Sequence, residues 1–271
     1  MRSHLRHLGP VALIIVLLIG VVPAATAAEI DTSTAAMRAA EIHALDLTNA
    51  QRTRRGLIKL RLDARLSELA RDRAQYMAQS GQFSHTQSNG TDVFDMIDSA
   101  NITWYAAGEI IAWNTAAALD YSASFAVKAW MDSPGHKAII MSKGYNYVGF
   151  GLAISPETGK RFWAGVYMKG PDRTGAWAKI GSVGSTVVDA THAKVTTKWT
   201  GNDTRLQVLT SGLRYYQVQQ RKDGGTWTDY GVVTSTTFAK TWPRGHTYDV
   251  RVRARDKAGN WGAWSVKTIK V

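Results

Sequence analysis

Apolar residues recur at helical spacing through the first third of the chain and at strand spacing through most of its last third. Residues 35–55 mix Met37, Ile42, Leu45 and Leu47 with polar positions, which predicts a helix that Gly56 interrupts. A second helix is better marked. Asp63 can cap its first turn, Leu66, Leu69, Ala70, Ala74 and Met77 line one face, and Gly81 ends it. Ala123 to Trp130 predicts a third helix; Ser133-Pro134-Gly135 is expected to stop it and leave His136 on a turn beyond. Two apolar runs, Tyr147 to Ile154 and Arg161 to Met168, flank a Pro156-Glu157-Thr158-Gly159 turn and predict a β-hairpin. Helices covering a small, mostly antiparallel sheet follow from this order, an α+β arrangement.

The pattern then changes. Gly170 to Asp189 is rich in Gly, Ser and Thr and is read as a linker over residues 171–188. Beyond it every clear segment is a strand: Ala193 to Trp199, Tyr215 to Arg221, Thr237 to Ala239, Tyr248 to Arg255 and Lys267 to Val271. Val250, Val252 and Ala254 alternate with Arg251, Arg253 and Arg255, so one sheet face is expected to be core and the other basic.

At the start of the chain Arg2 and Arg6 precede an apolar run, Val11 to Val22, and a small-residue stretch ending at Ala28. That order predicts a secretory signal peptide over residues 1–28, cleaved around Ala27 or Ala28. No later stretch is apolar and long enough to span a bilayer. Export without a single cysteine means no disulfides, so ordinary cores must hold the fold, and any zinc must sit on nitrogen and oxygen ligands.

Charge divides the chain as the patterning does. Residues 29–170 carry 15 Lys and Arg against 14 Asp and Glu, whereas residues 189–271 carry 14 against 6. The basic half admits an anionic cell-wall polymer, a lipid surface or a glycan as partner, or serves only as a charged outer face that resists edge pairing. No nucleic-acid motif accompanies it.

Chemistry gathers on three segments: His85 after Gly81-Gln82-Phe83-Ser84, Glu109 after Ala107-Gly108, and His136 after Ser133-Pro134-Gly135. Two imidazoles and a carboxylate suit a zinc site with an open coordination position, or a buried hydrogen-bond network with no ligand at all. Were the chain an enzyme, Glu109 and Ser133 would be its catalytic candidates, although Ser133 lacks a nucleophile-elbow context. Asp92, Asp95 and Asp98 are spaced like a helix cap or solvated face rather than a calcium loop. No glycine-rich nucleotide-binding motif occurs.

Taken together, Asn49-Ala50-Gln51-Arg52, Phe83-Ser84-His85, Gly108-Glu109-Ile110-Ile111-Ala112, Trp130-Met131-Asp132-Ser133-Pro134-Gly135-His136-Lys137 and Val148-Gly149-Phe150-Gly151 resemble the CAP superfamily, also called SCP or pathogenesis-related-1, in its short bacterial form. The resemblance implies a three-layer α-β-α sandwich over residues 38–170, a polar cleft built on His85, Glu109 and His136, and secretion. Two asparagines of the family's motifs are Ile110 and Ile139 here, and a second cleft glutamate of larger members falls at Ser133. Residues 189–271 resemble a fibronectin type III sandwich through Trp199, Tyr215 to Gln219, Trp227, Tyr248 to Asp256 and Trp261-Gly262-Ala263-Trp264, with Trp199 and Tyr248 expected in its core. The expected whole is an extracellular binding protein with a metal-capable cleft; a metal-assisted hydrolase of peptide, wall or lipid substrates and a purely structural surface protein are the alternatives.

Overall fold

A computed structural model describes residues 5–6, 34–116, 118–206 and 209–271, and the chain divides into two compact units, Met1–Pro171 and Asp172–Val271. Of the signal peptide expected over residues 1–28, only Leu5–Arg6 is described; the rest lies outside the described residues.

In chain order the first unit contains β1 (Leu5–Arg6), α1 (Thr34–Thr53), β2 (Arg61–Leu62), α2 (Ala64–Ser80), α3 (Val93–Ser99), β3 (Ala106–Asn114), α4 (Leu119–Asp132), α5 (Pro134–Ile140), β4 (Tyr147–Ile154) and β5 (Arg161–Lys169). The strands form one sheet in the order β1-β3-β5-β4-β2, antiparallel across β3, β5 and β4 and parallel at the two short edges. Alternate residues of β5 feed opposite cores. Phe162, Ala164, Val166 and Met168 pack with α2 and α3, while Trp163 and Tyr167 pack with α1, α4 and α5. This is the three-layer α-β-α arrangement expected from the sequence, and the sheet is nearly continuous apolar sequence because both faces are covered.

Asp63 caps α2 as expected, accepting from the N–H groups of Arg65 and Leu66, and Gly81 closes the helix at φ 70°. Asp92 and Asp95 form a reciprocal capping box on α3, while Asp98 accepts from the Trp104 indole at 2.7 Å. All three aspartates are thus engaged locally. The third predicted helix, α4, is longer than its apolar pattern implied and stops as expected, with Ser133 as its C-cap. A new helix, α5, begins at Pro134, whose fixed φ suits a first helical position. His136 therefore stands in the first turn of α5 rather than on a turn beyond a helix.

The second unit is all strand: β6 (Trp177–Val187), β7 (His192–Asn202), β8 (Leu213–Lys222), β9 (Thr228–Val233), β10 (Thr237–Pro243), β11 (Thr247–Asp256) and β12 (Ser265–Lys270). They form two sheets, β10-β7-β6 and β12-β11-β8-β9, with all pairings antiparallel. A core containing Ile180, Val195, Trp199, Val218, Tyr248, Val250 and Val252 lies inside this unit. Most of the stretch expected to be a linker, residues 171–188, is in fact β6, paired with β7 along nearly its whole length. Its glycines and exposed polar positions hid an edge strand that contributes only Ile180 as a fully buried residue.

On the outer face of β11 the arginines are not bare. Arg251 lies over Trp227 and Trp264, Arg253 over Trp264 and Trp261, and Arg255 over Trp261, at 3.9 to 5.3 Å from the ring centroids. Their guanidinium groups also donate to Gln219, Gln217 and the Tyr215 hydroxyl. The basic stripe is a ladder of cations interleaved with indoles, which covers apolar surface while keeping charge on the sheet.

Candidate functional site

Glu109 sits in the middle of β3, on the face toward α2, with its side chain almost fully shielded from solvent. One carboxylate oxygen accepts from Arg73 Nε at 2.7 Å and the other meets His85 Nδ1 at 2.7 Å. A carboxylate only accepts, so His85 carries its proton on Nδ1 and leaves Nε2 for another partner. Arg73 also donates to the Ser84 carbonyl at 2.6 Å, which pins the segment that carries His85. The arginine is fully buried, so its charge depends on these acceptors and on the Tyr76 ring, 6.0 Å from its guanidinium carbon.

His136 arrives from the opposite layer. Among the described residues, β3 has β5 on one side and only two-residue β1 on the other. The His85 and His136 rings stand 6.2 Å apart at 57°. Arg52 holds α5 in place: fully buried on α1, it donates to the carbonyls of Ile140 and Ser142 at 2.5 and 2.9 Å. Gly108 lies close beside the site: a Cβ there would stand 3.0 Å from the Tyr145 hydroxyl and 3.4 Å from the Ile139 side chain, each of which would have to give slightly. Ile110 is fully buried in the core, and Ile139 packs on Gly108, so the positions where asparagines were expected carry apolar contacts here.

Burial pulls His136 down from the ordinary 6.5 to about 4, with nearby His85 adding to the effect and Glu109 opposing it. The unfolded chain therefore binds a proton that the fold refuses as pH drops from 6.5 toward 4. The contribution is fully present above 6.5 and is lost across that window. The imidazole is only half-buried, so the slope should stay well below the one-proton value of about 1.4 kcal/mol per pH unit. Urea denaturation of the native protein and a His136→Gln variant between pH 7 and pH 4 checks this: the variant should lose less stability on acidification, and parallel curves would refute the burial argument.

Glu109 thus lies between Arg73 and His85, and His136 stands beside His85, but the ligand atoms of the three expected site residues do not all lie within 4.8 Å of one another. Ser133 lies at the α4–α5 junction and makes no side-chain capping bond. Sequence reasoning missed Arg73. Its signal was legible, because Arg73 falls on the apolar face of α2 with Leu66, Ala70 and Met77, where a charge demands a buried partner.

An α-β-α sandwich with a His–Glu–Arg cluster at the margin of its sheet defines the class of the first unit. Residues 45–167 match the model of the CAP family, the cysteine-rich secretory proteins, so this stretch is a CAP domain, although it holds no cysteine. The uncharacterized protein YkwD of Bacillus subtilis is 35% identical over 134 residues, covering 48% of this chain and 50% of the relative. The uncharacterized membrane protein YlbC of the same organism is 32% identical over 108 residues, covering 40% and 30%. The chain thus spans half or less of the curated relatives it matches. Among solved structures, an extracellular SCP-domain protein from Bacillus anthracis aligns with TM-score 0.44 at 21% identity, covering 49% of this chain and 41% of that one.

Proposed function

We propose that this chain is a secreted CAP-domain protein that acts by extracellular binding, with His85 and His136 able to hold a divalent metal, zinc first. The observation that carries the reading is the Glu109–His85 contact of 2.7 Å. It fixes the ring and leaves Nε2 unused by Glu109, with the His136 ring 6.2 Å away between centroids. A carboxylate that orients a ligating histidine is a common partner in metal sites, and a histidine kept neutral by burial is ready to ligate. Both oxygens of Glu109 are already engaged, so it serves as the orienting group and the protein supplies two nitrogen ligands. When bound, zinc would supply a Lewis-acid centre with positions open to water or a small ligand.

Glu109 is almost fully shielded and already accepts from Arg73 and His85, which weighs against it as the general base of a metal-assisted hydrolase; Ser133 has no histidine partner among the described residues, which weighs against it as a nucleophile. The second unit is proposed as a fibronectin type III-like sandwich that positions the first. Its three- and four-stranded antiparallel sheets support this. Its arginine–tryptophan ladder counts against free arginines gripping an anionic polymer.

Zinc titration calorimetry of the protein beside a His85→Ala/His136→Ala variant tests the site. One zinc per chain is expected for the native protein and none for the variant, with Glu109→Gln weakening affinity by about 10- to 100-fold. If native protein gives no binding heat, or the folded double variant binds equally well, the cluster is a structural network.

A further inference from the structure

The second unit contains a cluster of a different kind. Asp172, Asp203 and Asp256 each bring a carboxylate oxygen to within 4.8 Å of the others, and the last two side chains are buried. They come from three separate places: the first residue of the unit, the segment after β7, and the end of β11. Three carboxylates so close repel one another, and among the described residues none of them forms an ion pair with a lysine, arginine or histidine. Lys257 passes beside Gly212 without making one.

Most of the oxygens have ordinary neutral partners. Asp172 accepts from the N–H groups of Thr174 and Ser211, and Asp256 from the backbone and side-chain amides of Asn260. Asp203 Oδ2 accepts from the Gly212 N–H at 2.8 Å and the Ser211 hydroxyl at 3.3 Å. The other oxygen, Asp203 Oδ1, is closed off from solvent and has no hydrogen-bond partner, in a residue only 5% exposed. A buried, unpartnered acceptor amid like charges is costly unless a cation satisfies it.

We propose that Asp172, Asp203 and Asp256 form a calcium site that fastens the start of the second unit to the β7–β8 connection and the end of β11. The donor set is entirely oxygen and triply charged, with neither the nitrogen nor the sulfur that zinc or copper prefers. Oxygens bound to one calcium ion can stand at most about 4.6 to 5.2 Å apart, and the three carboxylates, within 4.8 Å of one another, fall inside that bound. The ion would link three segments otherwise joined by single hydrogen bonds such as that from Asn260 to the Asp172 carbonyl.

The test is thermal unfolding of the full chain in chelator, in millimolar calcium chloride and in millimolar magnesium chloride, beside Asp203→Asn and, should that variant fold poorly, Asp172→Asn. Calcium should raise the native midpoint by about 5 °C or more, while the variant stays unmoved and is at least as stable as native protein in chelator. The His85→Ala/His136→Ala protein should respond to calcium as the native does, which separates this site from the zinc reading. An equal rise with magnesium would overturn the calcium assignment. No calcium shift in native protein, with Asp203→Asn simply more stable throughout, would overturn the site and leave a protonated aspartate sharing its hydrogen with a neighbour.

Discussion

Replacing Gly151 by alanine is expected to remove about 3 kcal/mol or more of the first unit's stability, as forced overpacking of a rigid core does at its upper range. A Cβ at this position would lie 2.2 Å from the backbone of Ala70 and Arg71, and one at Gly149 would lie equally close to Leu66 and Ser67. The obstacle in each case is the main chain of α2, which cannot rotate aside as a side chain can. The helix must therefore lift from the sheet, losing the contacts of Leu66, Ala70 and Ala74 with the strands below. It would also carry Arg73 away from Glu109, so the Gly151→Ala protein should lose zinc binding along with its melting temperature. Gly184→Ala is the control, since nothing lies within 4 Å of its added carbon. Thermal unfolding should show the control within about 0.5 kcal/mol of native. A Gly151→Ala midpoint as close to native as the control would refute the close-packing account.

Arg73→Met is expected to cost about 3 to 5 kcal/mol, because it leaves the buried Glu109 carboxylate without its main counter-charge. His85 would then stand as the remaining partner of that carboxylate, and the Ser84 carbonyl would lose its donor. Combining Arg73→Met with Glu109→Gln should cost less than the sum of the single changes, since the second removes the charge that the first has stranded. Urea denaturation of the four proteins measures the coupling. Strict additivity would mean that the 2.7 Å contact contributes nothing particular, and that solvent reaches the carboxylate once the arginine is gone.

Much of the first unit was legible in the chain because its signals are local. A cap at Asp63, a left-handed stop at Gly81 and apolar positions on one face define α2 without reference to anything distant. The hairpin of β4 and β5 announces itself by its turn. Strand β3 is harder to see, since a strand covered on both faces has no alternation, and its segment stands out only through its motif. The edge strand β6 reads as a linker for the opposite reason: most of its side chains face solvent, so its strand character comes from hydrogen bonds to β7 that leave no trace in its own composition.

By itself the sequence determined the two-part organisation and a first unit of helices over a mostly antiparallel sheet, because these follow from periodicity, caps and residue type; the three-layer order came from the family resemblance. Only the tertiary structure decided how His85, Glu109 and His136 meet, that Arg73 holds the carboxylate, and that three aspartates far apart in the chain share one pocket of charge. Such pairings are made across 24 to 36 residues within the His–Glu–Arg cluster, as with His85 and Arg73 on Glu109. Distances of that kind depend on how layers dock, and no local propensity encodes them.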